Sequence, residues 1–203
     1  VRWFFALIVI AGLSIAAWNV LIQNMTAAAA LRASLFNVIS VVTTTGFAST
    51  DYTLWGAYPL AAFYFLTFVG GCTGSTSGGI KIFRFQVLYA VAHQQLVQML
   101  APHRVTVARA QNKEIDTSVA VSVLGFFFFY AMTFAVIALA LSLFGLDPIT
   151  ALSGAATAVG NVGPGLGTII GPAGNFAPLS DGAKWVLSAG MLLGRLEFVT
   201  VFV

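Results

Sequence analysis

Two short turns hold the residues whose chemistry stands out. Val41-Val42-Thr43-Thr44-Thr45-Gly46-Phe47 and Ala158-Val159-Gly160-Asn161-Val162-Gly163-Pro164 each follow an apolar run, and neither contains an acidic side chain. Their chemistry is therefore that of the backbone. Carbonyl oxygens turned outward by a glycine that adopts positive φ can replace the hydration shell of a monovalent cation. A helix that ends at such a turn adds the partly negative charge of its C-terminus, which also favours a cation. The turns predict carbonyl selectivity, as suits potassium, rather than a ring of carboxylates. Glycine-rich stretches in membrane helices also serve as close-packing faces. Two turns at matching places favour the carbonyl reading.

Other residues could act around them. In Gly70-Gly71-Cys72-Thr73-Gly74-Ser75-Thr76-Ser77-Gly78-Gly79, half the residues are glycine and none carries a large apolar side chain. Such a loop has high backbone entropy and few packing contacts, which makes a low-energy conformational switch. It predicts a gate that occludes a path and moves aside, with a passive kink as the alternative. Arg195 lies deep in the apolar run Ala183–Val203. A charge at membrane depth is costly and faces a partner or water. Glu197, two residues on, falls on another helix face. Arg195 is read as a positive barrier below the turns, with an ion pair or snorkelling as the alternative. Ser75-Thr76-Ser77-Gly78 would suit an intramembrane serine nucleophile only with a histidine at the same depth, and His93 and His103 fall in a basic segment instead. Gly79-Ile80-Lys81 breaks the Gly-Lys-Ser/Thr order of a nucleotide P-loop. One cysteine, Cys72, leaves no internal disulfide and no multi-cysteine metal site. No enzyme is predicted.

The elements that position these residues must lie in a membrane. Of 203 residues, 7% are charged and 59% hydrophobic, whereas soluble domains are about 25% charged. That excludes a soluble globular protein, a disordered tail and a nucleic-acid module. The net charge of +3 is read as loop topology. Trp3–Ile22 and Thr117–Leu146 are long enough to span. Met25–Val42, with Arg32 near the outer interface, and Pro148–Val159 are shorter and end at the two turns. Tyr52–Ile80 is apolar but broken in its second half. Lys81–Asp116 holds Lys81, Arg84, Arg104, Arg109 and Lys113, five of the nine basic residues. It is predicted to begin as an amphipathic helix to about Leu100 and to break at Pro102. Its charge places it in the cytoplasm. Asp51, Asp147 and Asp181 can then all lie outside only if the two shorter helices are re-entrant.

The order of span, half-helix, glycine turn and span thus occurs twice. Residues 1–100 form one repeat, with a loop at 70–79 and a cytoplasmic helix extension. Residues 101–116 are a cytoplasmic linker, and 117–203 the second repeat. The predicted fold class is an all-α membrane protein of tandem M1–pore-loop–M2 repeats, potassium-channel-like, with re-entrant half-helices and a broken second helix. The chain enters an apolar run at once and stops inside another, so it is expected to be part of a larger polypeptide. Broken helices and internal repeats also serve secondary transporters. A cation symporter with discontinuous helices and a non-conducting accessory subunit remain alternatives.

Four motifs in order carry a resemblance: Thr43-Thr44-Thr45-Gly46-Phe47; Gly70 to Lys81; Gly160-Asn161-Val162-Gly163-Pro164-Gly165; and Gly194-Arg195-Leu196-Glu197. Over essentially its whole length the chain resembles the Trk/Ktr/HKT superfamily of potassium-transport pore subunits, most closely the bacterial TrkH type. That resemblance implies four M1–P–M2 repeats around one pore, of which this chain would be the last two. It implies potassium as the transported ion, with filter carbonyls from Thr44, Thr45, Gly46, Asn161, Val162 and Gly163. It implies a gating loop containing Gly70, Gly71, Gly74, Gly78 and Gly79, with Arg195 projecting toward the pore. It also implies residence in the bacterial inner membrane, a homodimer, and a cytosolic nucleotide-binding regulatory subunit docked on the basic segment. That segment could also meet anionic lipid headgroups.

Overall fold

The computed structural model describes residues 2–101, 109–110 and 113–195, most of them helical. Helix α1 (Arg2–Leu21) and helix α5 (Thr117–Leu143) have mean hydropathies of 2.2 and 2.3 over their most apolar windows. At 1.5 Å per residue they reach about 30 and 40 Å, enough for a hydrocarbon core of about 30 Å. Trp3, Phe5 and Ile10 on α1 and Phe128, Leu139 and Leu143 on α5 are exposed. Apolar surfaces of that extent suit lipid rather than water.

The next helix of each repeat is too short to cross. Helix α2 (Ala27–Val42) has 16 residues and α6 (Pro148–Gly160) has 13, about 24 and 20 Å long. Both are rich in small residues, which let neighbouring backbones come close. From Thr150 to Gly160, α6 exposes only Leu152. Its start follows from the sequence: Pro148 occupies the first turn, and the Asp147 carboxylate accepts the Thr150 amide at 3.1 Å. Hydrogen bonds from the Thr150 hydroxyl and amide hold that carboxyl below its ordinary value of 3.8.

The closing segment of each repeat differs. In the second repeat its described residues form one helix, α7 (Asp181–Arg195). In the first it is broken: a 3-10 turn (Tyr52–Trp55) leads into α3 (Ala57–Leu66), then into the glycine loop, then into α4 (Ile82–Leu100). The loop's two ends pair as short parallel strands, β1 (Val69–Gly70) and β2 (Ile80–Lys81), with Val69 opposite Ile80. A second pair, β3 (Arg109–Ala110) with β4 (Lys113–Glu114), is antiparallel. These two-residue ladders are the only strands among the described residues, so the all-α reading stands. The amphipathic helix ends at Leu100 as its pattern predicts. Pro102, His103, Arg104 and Glu197 lie outside the described residues.

The two repeats interlock through their cores. Val162 and Leu166 of the second repeat pack with Val38, Val42, Tyr52 and Phe63 of the first. Ile80 of the first packs with Phe126, Leu141, Val159 and Leu187 of the second. Phe68 and Phe85 of the first repeat also pack against that cluster, and core packing fixes the second turn and the end of the glycine loop relative to the other repeat.

Candidate functional site

Helices α2 and α6 end in the same backbone figure. After α2, the Thr44 amide donates to Val41 O at 3.0 Å and the Thr45 amide to Ser40 O at 2.9 Å. After α6, the Asn161 amide donates to Ala158 O at 3.2 Å and the Val162 amide to Thr157 O at 3.1 Å. Each pair of residues matches under the offset that sets Gly46 beside Gly163. Thr44 and Asn161 share left-handed φ values of 55° and 53°, and Gly46 and Gly163 follow at 79° and 119°. Asparagine tolerates this region, whereas a β-branched threonine is strained there. Because a trans peptide sets its C=O opposite the next N–H, amides folded back on the helix turn the carbonyls of Thr43, Thr44, Gly160 and Asn161 away from it. The helix C-termini add partial negative charge in the same direction.

The turns meet each other. A Cβ built on Gly163 lies 3.6 Å from Gly46 Cα, and one on Gly46 would lie 2.2 Å from Val162 O. Only glycine combines that approach with its positive φ. Polar side chains on the half-helices hold the chain as it leaves each turn. Asn37 Oδ1 accepts the Ser49 amide at 3.1 Å, and Ser153 Oγ accepts the Leu166 amide at 3.0 Å and donates to its carbonyl at 3.2 Å. The sequence reading missed Asn37, Ser40, Ser153 and Thr157. Their signal was available as buried polar positions on otherwise apolar half-helices.

The glycine loop lies against both turns. The Gly78 amide donates to Thr44 Oγ1 at 3.1 Å. A Cβ on Gly78 would meet Gly160 O at 2.3 Å, and one on Gly160 would meet Thr67 O, at the end of α3, at 2.8 Å. The loop is more tied than its composition suggests. The Gly71 amide donates to Ser77 Oγ at 2.8 Å, Ser75 Oγ donates to Cys72 O at 2.6 Å, and the Ser75 and Ser77 hydroxyls pair at 2.7 Å. Small residues lack apolar contacts, but their hydroxyls replace the missing bonds at short range. Gly74 has open space around it.

The end of α7 completes the group. Gly194 approaches Val159 O so closely that a Cβ would lie 2.0 Å from it. Asn161 Nδ2 donates to Met191 O at 3.1 Å. Arg195 Nη1 donates to Thr76 O in the loop. A cavity of about 130 Å³ separates loop and helix, lined by Ser75, Thr76, Ser77, Gly78, Gly79, Gly194 and Arg195. The structure brings the two turns together at Gly46, Val162 and Gly163 and sets Gly78 of the loop against Thr44, Gly160 and Asn161, with Arg195 reaching the loop at Thr76. Gly70, Gly71 and Gly79 pack within the loop, and Gly74 stands clear. Of the basic segment, Lys81 pairs with Gly70 at the end of the loop, Arg84 stacks its guanidinium 3.7 Å from the Phe126 ring centre, and Arg109 and Lys113 lie in the β3–β4 pair. Arg32 is exposed early on α2, away from the turns.

Spanning helices, half-helices that converge on paired glycine turns, and a broken helix beneath define an all-α pore-loop membrane protein. The chain belongs to the TrkH family of cation transport proteins, whose family model matches residues 2–203. It is 56% identical over 197 residues to the Trk system potassium uptake protein TrkI of Halomonas elongata, covering 97% of this chain and 39% of that protein. It is 35% identical over 173 residues to the Trk system potassium uptake protein TrkH of Salmonella typhimurium, covering 85% of this chain and 35% of that one. Its fold matches the crystal structure of the potassium transporter TrkH from Vibrio parahaemolyticus with a TM-score of 0.90 and 33% identity, over 99% of this chain and 42% of that one. The chain thus spans about two fifths of the length of these relatives.

Proposed function

We propose that these residues form two of the four repeats of a potassium uptake pore in the bacterial inner membrane, crossed in multiple passes. The filter is lined by backbone carbonyls of Thr44, Thr45, Gly46, Asn161, Val162 and Gly163. The observation that carries this reading is the repeated turn: the same folded-back amides, left-handed residue and glycine at both half-helix ends, meeting at Gly46 and Gly163. Carbonyl oxygens turned outward as those of Thr44 and Asn161 are suit a dehydrated monovalent cation. The loop with Gly70, Gly71, Gly74, Gly78 and Gly79 is the gate, and Arg195 reinforces its closed position through Thr76 O. The names of the relatives, potassium uptake proteins, favour a transporter over an enzyme.

The domain division follows from the same reading, with repeats at 1–100 and 117–203 around a cytoplasmic linker at 101–116. A homodimer, lipid contact along α1 and α5, and a cytosolic nucleotide-binding regulatory subunit on the basic segment complete the proposal.

Rubidium uptake into proteoliposomes carrying the complete polypeptide, with potassium and sodium as competitors, tests the pore. Uptake competed by potassium more than sodium, and altered by Gly163→Asp, is expected. A folded, inserted protein that moves no cation with the regulatory subunit and nucleotide present would refute it. Deleting three residues of the 70–79 loop tests the gate: unchanged open probability would leave the loop a passive kink.

A further inference from the structure

The two turns are alike in backbone but not in what holds them. The second holds itself: Thr157 Oγ1, on α6, accepts the Gly163 amide at 2.9 Å. At the matching place on α2 stands Ser40. Its hydroxyl is buried and finds no partner among the described residues. The Gly46 amide reaches only the Ser40 carbonyl, at 3.4 Å, near the outer limit of a hydrogen bond. The Thr43 hydroxyl ties the start of the first turn to Ile39 O and to Thr45 Oγ1, but the Gly46 amide lacks the side-chain acceptor that Thr157 gives the Gly163 amide.

The first turn's left-handed residue is tied to the gate. Thr44 Oγ1 accepts the Gly78 amide at 3.1 Å. Asn161, the matching residue, sends its side chain to Met191 O within the unbroken helix α7. One turn is tied to a continuous helix and the other to a loop of small residues. Thr44 is also β-branched at a φ of 55°. Such a conformation persists only where its surroundings over-determine it.

We propose that the Thr44 hydroxyl is a positioning group that couples the glycine loop to the first filter turn. Departure of the loop breaks the Thr44–Gly78 bond and frees the first turn, while the second keeps its shape. Ion preference then depends on the state of the gate. The inference rests on the pore reading above, and the experiment separates the two.

The complete polypeptide in proteoliposomes carries Thr44→Val, which keeps the shape and removes the hydroxyl, or Thr44→Ser, which keeps the hydroxyl. Hydrogen–deuterium exchange of the 70–79 segment reads the tie without reference to transport. Competition of rubidium uptake by potassium and sodium reads the filter. Thr44→Val is expected to speed loop exchange about five-fold, equal to about 1 kcal/mol at 1.4 kcal/mol per tenfold, and to lower the preference for potassium. Thr44→Ser is expected to restore both. If Thr44→Val does not insert, Thr44→Ala carries the same expectation, because an unbranched side chain suits the left-handed region better. Unchanged exchange in a protein that takes up rubidium overturns the tie and leaves the pore reading intact. Faster exchange with unchanged preference overturns the coupling. A wild type that moves no rubidium, with the regulatory subunit and nucleotide present, overturns the pore reading and the claim on ion preference together.

Discussion

Gly194→Ala would place a methyl carbon 2.0 Å from the Val159 carbonyl oxygen and 3.0 Å from Asn161 Nδ2. Neither neighbour is free to yield, because the first is backbone of α6 and the second already donates to Met191 O. A retreat of about 1.4 Å takes the carbon from 2.0 Å to ordinary contact at 3.4 Å. Displaced by that amount, α7 stretches the 3.1 Å bond from Asn161 beyond hydrogen-bond range. Overpacking of this kind costs about 1–3 kcal/mol. Set against the geometry of the second turn, that is a loss of roughly 5- to 150-fold. Backbone strain does not contribute, because Gly194 sits inside α7 and alanine favours a helix by about 1 kcal/mol over glycine. Gly190→Ala is the control on the same helix: its nearest neighbour, at 2.6 Å, is the Cδ1 tip of Ile137, which can rotate away. Rubidium uptake at matched expression should fall at least fivefold for Gly194→Ala and stay within twofold for Gly190→Ala. Equal uptake by the two variants would refute the claim that close approach of α7 to the second turn sets its shape.

Other outcomes follow from the same geometry. Arg195→Ala removes the bond to Thr76 O and should raise uptake. A fall at normal expression would sink its role in holding the loop closed. Ser153→Ala leaves the buried amide and carbonyl of Leu166 without their partner, a loss of about 1–3 kcal/mol that thermal unfolding in detergent should show as a lower midpoint. Asp147 has its carboxyl held below the ordinary value by Thr150, so the stability it lends α6 is present above that value and lost as pH falls through the depressed one. Exchange of the Thr150 amide should quicken in that acid range in the wild type and show no such step in Asp147→Ala.

Much of this molecule was legible in its sequence because the membrane is a strict solvent. A run of twenty apolar residues has few fates other than a spanning helix, and glycine-rich backbone at that depth must line a cavity or be buried in protein. Those two rules locate α1, α5, the half-helices, both turns and the broken helix. Pro148 after Asp147 marks the start of α6 by local capping alone. The matching of Gly46 with Gly163 was also readable, because both glycines answer the same local demand for positive φ.

Only the tertiary structure decided how these parts meet. No local signal says that Gly194 packs on the Val159 carbonyl, that Gly78 bonds Thr44, or that Val162 joins the core of the other repeat, since each joins residues far apart in the chain. The sequence suggested a loosely packed loop at 70–79, and the structure shows it cross-tied by its own hydroxyls, because a serine is equally able to face water or a neighbouring amide until its surroundings are fixed. In the same way, Ser40 and Thr157 read alike as small polar residues on an apolar helix. Which one bonds its turn depends on the exact distance to the Gly46 or Gly163 amide, and only the packed molecule sets that distance. The sequence alone determined the elements and the kind of backbone chemistry they can offer. Long-range contacts of a few tenths of an ångström's tolerance determined which of those groups act on one another.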